Sequence, residues 1–287
     1  MARFGNPNRA SILIVDCHTH LNRYTPDMPS SLRERHAQLR AEMDANGIDY
    51  ALVLSSYAVS EDRPSTEHIL DVVRDDPRIG VVAGVSYHYR ARDLAQLRSL
   101  LEGERIKGLK LYPGYEEFYV HDVRLRVVYE MAAEFGVPVM IHTGDTYDAS
   151  SKVKFAHPLE VDEAAVTFPD VTFVMCHLGN PWFADAMEVI YKNGNVLGDI
   201  SGFTLGDFEP RFENFIRAKL HDVIAFINDP EMLMFGTDWP ISGLPSYLRF
   251  AQTIEATPEE LEGLLWRNAN RVFKLGLGEA QAETLSD

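Results

Sequence analysis

Two histidines, His18 and His20, stand two residues apart at the end of the first apolar run of the chain. Side chains alternate between the two faces of a β-strand, so residues i and i+2 share one face if the strand extends that far. Two imidazoles on one face can converge on a single cation, because neutral ring nitrogens are common metal ligands. Chance His-x-His pairs are frequent, so a metal site needs further ligands from elsewhere in the chain.

Polar residues of ligand type also end three later apolar runs: His142, His177 and Asp238. Imidazoles and one carboxylate suit Zn²⁺, and also Mn²⁺ or Fe²⁺. A catalytic zinc site keeps one position open and lowers the pKa of a bound water to about 7. A carboxylate beside that water can take its proton, and a histidine across the site can polarise a substrate oxygen or protonate a leaving group. This set predicts metal-assisted chemistry on a small molecule.

The elements that position these residues are eight short apolar runs separated by stretches of helical character. The runs are rich in Val, Ile, Leu and Phe and nearly continuous, which is typical of strands buried on both faces. They cover residues 12–16, 50–55, 79–86, 106–112, 137–142, 171–177, 195–201 and 233–238. Helices are predicted over residues 32–46, 122–135, 158–168, 183–192 and 211–228. Gly47 and Gly136 follow the first two of these helices and predict their C-terminal caps.

Strand and helix alternating eight times predict a parallel α/β sheet closed into a (β/α)8 TIM barrel. An open, doubly wound sheet is the alternative fold, but its usual Gly-rich nucleotide loop is missing from the sequence. We expect a single domain over residues 1–287, with the barrel and its closing helix in 10–276 and a frayed tail in 277–287. The closing helix is a C-terminal helical extension over residues 258–275, with Thr257 as its N-cap. The carboxyl ends of the strands meet at one mouth of such a barrel, which brings the ligand-type residues together.

The acidic balance of the chain limits its partners. It has 43 acidic and 27 basic residues among 287, a formal net charge of -16. Such a surface repels phosphate backbones and anionic membranes, so we expect a small-molecule substrate and neither nucleic acid nor membrane partners. No apolar run reaches the roughly 18 residues of a membrane span, and residues 1–11 lack the basic and apolar pattern of a signal peptide. We therefore expect a cytoplasmic protein.

Cys17 and Cys176 each precede a histidine of interest. Two thiols do not make a disulfide framework, and they fit a reducing compartment. Strand parity counted from His18 and His177 predicts that both cysteines point away from those histidines, toward the covering helices. We interpret them as small buried hydrophobic residues rather than ligands or nucleophiles.

Five short motifs at the strand ends carry a family resemblance. They are Asp-Cys-His-Thr-His at 16–20, Gly-Leu-Lys-Leu-Tyr-Pro at 108–113, Ile-His-Thr-Gly at 141–144, Cys-His-Leu-Gly at 176–179 and Phe-Gly-Thr-Asp-Trp-Pro at 235–240. Their order across nearly the whole chain resembles the amidohydrolase superfamily, especially the amidohydrolase-2 branch that includes aminocarboxymuconate-semialdehyde decarboxylase. Each motif alone is modest, but five in register are specific.

The resemblance implies a role for each ligand-type residue. It assigns one divalent ion, Zn²⁺ first with Mn²⁺ or Fe²⁺ as alternatives, to the ligands His18, His20, His142 and Asp238. His177 becomes the acid/base that polarises the substrate, and Asp238 also handles protons. A fifth-ligand or purely structural His177 stays open as an alternative. Asp16 lies deeper, and we expect it to hydrogen-bond behind the ligands.

Lys110 and several loop aromatics are the predicted substrate contacts. An unmodified Lys110 presents an ammonium near the mouth and is expected to bind a substrate carboxylate. The alternative is a carboxylated lysine that bridges two metal ions, as in binuclear members of the superfamily. Loop aromatics shape pockets or pack in cores and interfaces, and both alternatives stay open for them. Those predicted to line the substrate pocket are Tyr112, Trp182 and Trp239, with Tyr115 and Tyr147 as further candidates.

Together these residues predict a metal-dependent hydrolase that acts on a small, carboxylate-bearing ester, lactone or amide through metal-activated water. The same residues serve a metal-dependent decarboxylase or hydratase, so this lyase alternative stays open. A non-catalytic binding barrel is the third alternative, and it is disfavoured because all five motifs are intact. Family members are often dimers, so the resemblance also allows a homodimer.

Overall fold

A computed structural model describes residues 12–278 of the chain. Its centre is one sheet of eight parallel strands in the order β1 to β8, so strands adjacent in sequence are adjacent in space. The strands are β1 Val15–Thr19, β2 Tyr50–Leu54, β3 Ile79–Gly84, β4 Gly108–Leu111, β5 Val139–His142, β6 Phe173–Cys176, β7 Val196–Asp199 and β8 Leu233–Met234. The segment after β8 returns to β1, where the amide of Cys17 donates to the carbonyl of Phe235. The sheet is a nearly closed (β/α)8 barrel, which confirms the predicted fold.

Helices cover the outer face of the sheet. They are α1 Leu32–Asn46, α2 Thr66–Val72, α3 Ala91–Glu102, α4 Arg126–Phe135, α5 Leu159–Thr167, α6 Phe183–Lys192, α7 Pro210–Ile227, α8 Leu244–Ala251, α9 Pro258–Glu262 and α10 Asn268–Phe273. α1 and α6 have the predicted bounds. Gly47 and Gly136 end their helices in the left-handed conformation, with φ of 73° and 59°, which a residue without a Cβ adopts readily. No helix in the described part of the chain is long and apolar enough to cross a membrane.

The C-terminal extension consists of three short helical pieces rather than the single predicted helix. Thr257 caps α9 as predicted, since its hydroxyl accepts from the amide of Glu260 while the Glu260 carboxylate accepts from the amide of Thr257. A π-helical stretch, Gly263–Arg267, separates α9 from α10. Within it the carbonyl of Leu264 accepts from the amide of Phe235 at 2.7 Å, which ties this turn to the barrel. Of the predicted tail, residues 279–287 lie outside the described residues.

Both faces of the strands are buried, as their apolar sequences predict. One hydrophobic cluster lies between the sheet and the helices, and a second fills the barrel interior. The predicted direction of the two cysteines is wrong, because Cys17 and Cys176 belong to the interior cluster. Strand parity fails because the register of β1 is irregular between Asp16 and Thr19, and because β6 ends before His177. Both thiols are buried, and neither forms a disulfide.

Candidate metal centre and catalytic cavity

Three of the predicted ligands meet at the carboxyl end of the barrel. Nε2 of His20 lies 3.2 Å from Oδ1 of Asp238, and Nε2 of His18 lies 3.6 Å from the same oxygen. The donor atoms of these three residues all lie within 4.8 Å of one another. Metal–ligand bonds of about 2.0–2.2 Å place the ligands of a tetrahedral zinc roughly 3.3–3.6 Å apart, so the spacing fits one divalent ion.

Two buried polar atoms at this place have no hydrogen-bond partner among the described residues. They are Nε2 of His142 and Oδ1 of Asp238. A buried group left unsatisfied destabilises a fold by about 1–3 kcal/mol, and a cation between these atoms would satisfy both. His142 ends β5, and its ring centroid lies 5.0 Å from that of His177. His142 therefore stands beside the compact group of three, although it is not among the donors that lie within 4.8 Å of one another.

Hydrogen bonds fix which ring nitrogen of two histidines faces this site. Nδ1 of His18 donates to Oδ2 of Asp199 at 2.9 Å, and Nδ1 of His20 donates to the carbonyl of Leu54 at 2.9 Å. Because carboxylate and carbonyl oxygens only accept, each neutral ring carries its proton on Nδ1 and presents a lone pair at Nε2. Outer partners of this kind orient a ligating ring and raise its basicity.

Burial and charge favour the protonation states that a metal site requires. Burial lowers the pKa of His18 to about 4 and the pKa of His142 well below its usual value, so both rings are neutral near neutral pH. Burial alone would raise the pKa of Asp238, but its contacts with His20 and the other imidazoles outweigh burial and lower it. Neutral imidazoles and an ionised carboxylate are the forms that bind a cation.

Asp199, the last residue of β7, supports this arrangement from behind. Its carboxylate accepts from Nδ1 of His18, from the amide of His177 at 3.0 Å and from the amide of Ser201 at 3.1 Å. Burial would raise the pKa of Asp199, but its hydrogen bond with His18 and its proximity to His177 and Lys110 outweigh burial and lower it. None of the five sequence motifs includes Asp199. Its one signal in the sequence is that it stands, like His142, at the carboxyl end of a barrel strand.

Asp16 hydrogen-bonds behind the ligands as expected, whereas the carboxylate that orients the ring of His18 is Asp199. Asp16 accepts from the amide and the hydroxyl of Thr237, at 3.0 and 2.6 Å, and from the amide of His18 at 3.2 Å. Burial raises the pKa of Asp16 to about 7. Asp16 therefore joins β1 to the segment that carries Asp238, and it positions two stretches of backbone rather than a ligand ring.

Asp199→Asn is expected to weaken metal binding and to lower kcat/KM by about 10–100-fold, the range typical of losing an outer partner of a metal ligand. The amide keeps the shape of the carboxylate but loses the charge that holds the proton of His18 on Nδ1. Metal titration and steady-state kinetics measure the two effects. The matched control is Asp162→Asn, which alters a carboxylate bonded to Lys192 and Asn193 at the end of α6 and should change neither quantity. Equal losses in both variants would contradict the role of Asp199.

His177 faces the same site from the turn after β6. Its backbone is left-handed, with φ of 63°, and Leu178 and Asp238 have φ of 44° and 67°. Such conformations cost a non-glycine residue about 1–3 kcal/mol and concentrate at functional sites. Nδ1 of His177 bonds the carbonyl and hydroxyl oxygens of Ser201 at 3.0 and 2.9 Å. A ring held in this way presents Nε2 to the cavity, where it can accept or deliver a proton.

The backbone of Gly202 lies against two side chains of the site. A Cβ at this position would lie 2.5 Å from Nδ1 of His177 and 2.9 Å from Oδ2 of Asp238. Gly202→Ala is therefore expected to displace one or both side chains and to lower kcat by at least about tenfold, since small misplacements of catalytic groups slow reactions strongly.

Gly206→Ala is the matched control for this substitution. Gly206 has a φ of 67° against 64° for Gly202, but a Cβ there would have no neighbouring atom within 4 Å. Both alanine variants therefore carry similar backbone strain, and Gly202→Ala alone pushes on the site. Steady-state kinetics, with circular dichroism as a check of folding, compares the two. If Gly206→Ala lost as much activity as Gly202→Ala, backbone strain rather than displacement of His177 or Asp238 would explain the loss.

The side chains of the site surround a small cavity of about 40 Å³. Its outer wall is aromatic and comes from four loops, and the lining tyrosines are Tyr24, Tyr57, Tyr112, Tyr115 and Tyr147. The hydroxyl of Tyr112 donates to the carbonyl of Ser55 at 2.6 Å, which fixes this predicted pocket residue, whereas Tyr147 is 49% exposed at the outer edge. No sequence motif marks Tyr24 or Tyr57, because the conformation of their loops decides where the rings lie.

The two predicted tryptophans do not line this cavity. Trp239 is buried and packs in the cluster between the sheet and the helices. Trp182 stands just before α6, with its ring centroid 4.9 Å from that of His157. Proximity in sequence to His177 and Asp238 does not decide where these side chains point, because the backbone turns sharply at both residues. Trp239 packs in the core, which is the alternative left open for the loop aromatics.

Two cations line the cavity as well. Lys110, on β4, is 1% exposed, and its Nζ donates to Sγ of Cys176. Arg63 comes from the loop after β2, and its guanidinium carbon lies 5.9 Å from the centre of the Tyr24 ring. Neither side chain takes part in an ion pair within the described part of the chain. Cations without a carboxylate partner suit an anionic substrate.

A parallel (β/α)8 barrel with histidines and a carboxylate converging at its mouth defines a metal-dependent barrel enzyme. The family model described as amidohydrolase (Amidohydro_2) matches residues 15–275. The chain belongs to this amidohydrolase family and is an enzyme of a metal-dependent kind. A search of curated proteins found no significant match.

Solved structures share the fold over nearly the full chain. A TIM-barrel protein from Bordetella bronchiseptica is 23% identical, covers 92% of this chain and 99% of its own, and has a TM-score of 0.72. A Pseudomonas putida protein assigned as 2-pyrone-4,6-dicarboxylic acid hydrolase is 18% identical, with 93% and 100% covered and a TM-score of 0.67. A dihydroxybenzoic acid decarboxylase from Polaromonas, solved with manganese and the inhibitor 2-nitroresorcinol, is 14% identical, with 92% and 97% covered and a TM-score of 0.67. At these identities the likeness confirms the fold alone.

Proposed function

We propose that this enzyme is a metal-dependent decarboxylase of a small aromatic carboxylic acid. One observation carries the proposal: the cavity joins an ion site, a proton-handling histidine and two cations within a wall of tyrosine rings. Aromatic walls favour a planar, unsaturated substrate, because rings gain from offset and edge contacts with one another. The cations favour a substrate that carries a negative charge.

Substrate binding falls to Arg63, Lys110 and the tyrosines. Arg63 presents a planar fork that suits a carboxylate, and Lys110 presents a point charge beneath it. The cavity of about 40 Å³ holds only a water molecule or two, so an aromatic acid has to push the outer rings apart. Tyr24 and Tyr147, whose ring centroids are 5.8 Å apart, are the side chains that we expect to move.

Decarboxylation replaces a carbon–carboxylate bond by a carbon–hydrogen bond, so a proton has to reach the ring carbon as carbon dioxide leaves. His177 would deliver this proton as an imidazolium, because the carbonyl of Ser201 accepts from Nδ1 and leaves the second N–H, on Nε2, facing the cavity. Burial lowers the pKa of this imidazole, and the charges of Asp238 and Asp199 oppose that effect and favour the protonated ring. A substrate that fills the cavity between the tyrosine rings would displace its water, which would leave the fixed side chain as the proton source. A divalent ion would supply Lewis-acid polarisation of the substrate oxygens, held by His18, His20, His142 and Asp238.

Hydrolysis is the second candidate function, and the geometry of Asp238 favours it. Oδ1 of Asp238 is buried without a hydrogen-bond partner among the described residues, so it can accept a proton from an attacking water. The Pseudomonas putida relative supports this candidate, as the Polaromonas relative supports the first. The substrate would then be a small lactone, ester or amide that bears a carboxylate.

Zn²⁺ or Mn²⁺ is the ion that we propose for the site. Imidazole and carboxylate ligands suit both metals, and the Polaromonas relative contains manganese. We also propose that the enzyme acts in the cytoplasm as a homodimer on small molecules, with the net charge of -16 supporting the absence of nucleic-acid and membrane partners. Light scattering tests the dimer, since a mass equal to one chain of 32.4 kDa would contradict it.

The fate of individual atoms separates decarboxylation from hydrolysis. The metal-loaded enzyme is incubated with dihydroxybenzoic acids and with 2-pyrone-4,6-dicarboxylate, once in deuterated water and once in water enriched in heavy oxygen. We expect carbon dioxide in equal amount to product, with deuterium on the ring carbon that lost the carboxylate. A product that carries heavy oxygen in a new carboxylate, without carbon dioxide release, would overturn decarboxylation in favour of hydrolysis.

Arg63→Leu is expected to raise the KM for the acid by about 10–100-fold with little change in kcat, because a hydrogen bond to a charged group contributes about 1.5–3 kcal/mol. Steady-state kinetics measures both constants. Arg92→Leu is the control, since its side chain is 72% exposed beside Asp93 and does not line the cavity. An unchanged KM in Arg63→Leu would contradict this role of Arg63 and would indicate that Lys110 binds the substrate carboxylate.

A further inference from the structure

Lys110 and Cys176 form an amine–thiol pair inside the barrel, and no step of the proposed reaction uses the thiol. The two side chains come from β4 and β6 and are 1% and 0% exposed. The bond from Nζ to Sγ is the one hydrogen bond of this amine among the described residues. Sγ also lies within 4.8 Å of donor atoms of His18 and Asp199, so the pair lies next to the ion site.

The spacing of the two atoms is unusual for a hydrogen bond. Nζ and Sγ are 2.6 Å apart, whereas sulfur is a large, weak acceptor that ordinarily keeps a nitrogen donor at a greater distance. This separation is close to the span of two single bonds through one bridging oxygen atom. The strands hold both ends of the pair in place, because β4, β5 and β6 are neighbours in one sheet.

We propose that Lys110 and Cys176 form a reversible oxidative cross-link, Sγ–O–Nζ, when the enzyme meets hydrogen peroxide. One thiol, the ammonium of Lys110 and two peroxides give the bridge, three waters and one released proton. The first peroxide converts the thiol to a sulfenic acid. The second converts the amine that remains, once the ammonium has released its proton, to a hydroxylamine, whose oxygen then displaces water from sulfur. One S–H and two N–H bonds are lost, one S–O and one O–N bond form, and the four electrons released reduce the two peroxides.

Peroxide can reach the pair through the catalytic cavity. Lys110 lines this cavity, and its volume of about 40 Å³ admits molecules close to water in size. The short contact holds Sγ of Cys176 against Nζ of Lys110, so an oxygen atom delivered to either atom lies within bonding reach of the other. Cys17 is equally buried, but no hydrogen bond joins its sulfur to a nitrogen within residues 12–278. Cys17 therefore serves as a control thiol within the same chain.

The cross-link would remove a positive charge from the cavity. Lys110 would lose its ammonium group, so an anionic substrate would lose one of the two cations that attract it. Activity would fall on oxidation and return on reduction. The link itself does not depend on which reaction the enzyme catalyses, so its formation is tested without a substrate.

Mass spectrometry of the full chain after oxidation tests the proposal. The metal-loaded enzyme is treated with hydrogen peroxide, quenched with catalase, denatured in acid, alkylated and digested. We expect a peptide pair joined through Lys110 and Cys176 whose mass exceeds that of the two peptides by about 14 Da, for one oxygen gained and two hydrogens lost. Dithiothreitol should release both peptides unmodified.

Three variants make the result specific. Cys17→Ser should keep the cross-link, whereas Cys176→Ser and Lys110→Arg should each abolish it, so the result does not depend on the folding of a single variant. Oxidation of Cys176 to a sulfinic acid beside an unmodified Lys110 peptide would overturn the proposal. A disulfide between Cys17 and Cys176 as the product would also overturn it.

Discussion

His177→Gln is expected to lower kcat by about 10²- to 10⁴-fold, the usual contribution of a positioned acid or base, while the protein keeps its bound metal. Glutamine can still form hydrogen bonds at this position. Its amide does not take up and release a proton near neutral pH, as an imidazole does. Because Ser201 and Asp199 hold His177 from behind, the change removes proton transfer and leaves the compact ligand group in place. Metal analysis and single-turnover kinetics measure the two quantities on one sample.

His121→Gln is the matched control for this experiment. His121 is 39% exposed, pairs with Glu160 and does not line the cavity, so both kcat and metal content should stay unchanged. If His177→Gln loses its metal together with its activity, His177 is a fifth ligand rather than an acid/base. That outcome would contradict the proton-delivery role.

His20→Ala and Asp238→Ala are each expected to release the metal ion and to abolish measurable activity. Each removes one of two donor atoms that lie only 3.2 Å apart in the compact group of three. Loss of an outer partner already weakens metal binding by about 10–100-fold, so loss of a ligand should exceed that range. Metal content after gel filtration, measured by plasma mass spectrometry, checks the result.

His36→Ala and His142→Ala complete this series. His36, on α1, pairs with Asp76 in the loop before β3, so its loss should leave the metal content unchanged. His142→Ala should release the metal, because Nε2 of His142 is buried without a hydrogen-bond partner among the described residues. Metal retained in His142→Ala would limit the ligand set to the compact group of three.

The carboxyl ends of the strands are the positions at which sequence predicts the site well. A closed parallel barrel brings these ends to one mouth whatever the loops do, so His18, His20 and His142 can be placed together from the apolar runs alone. Glycine caps are equally local signals, because a left-handed residue after a helix favours a side chain without a Cβ. Gly47 and Gly136 confirm this.

The direction of a side chain is less predictable than its position in the chain. Parity requires a regular strand, and β1 is irregular in its last residues. The backbone is also left-handed at His177 and Asp238, and it turns the chain there. The direction of a neighbouring side chain therefore cannot be deduced from its spacing to either residue. These departures from regular geometry explain the wrong or unmatched directions of Cys17, Cys176, Trp182 and Trp239.

Contacts between distant segments form a third limit. Asp199 and His18 are 181 residues apart in sequence, and the closed barrel alone makes them neighbours. Arg63 and Tyr24 meet across two loops whose conformations depend on their own hydrogen bonds. No spacing pattern within the chain marks such pairs, so the support behind the ligands and the wall of the cavity emerge from the structure.

A crystal structure with anomalous scattering, from protein purified without chelators, tests the metal centre most directly. We expect one divalent ion per chain, bonded at about 2.0–2.2 Å to Nε2 of His18, Nε2 of His20 and Oδ1 of Asp238, with Nε2 of His142 completing the set. Two ions bridged through Lys110, or an ion bound elsewhere while these side chains stay in direct contact, would contradict it.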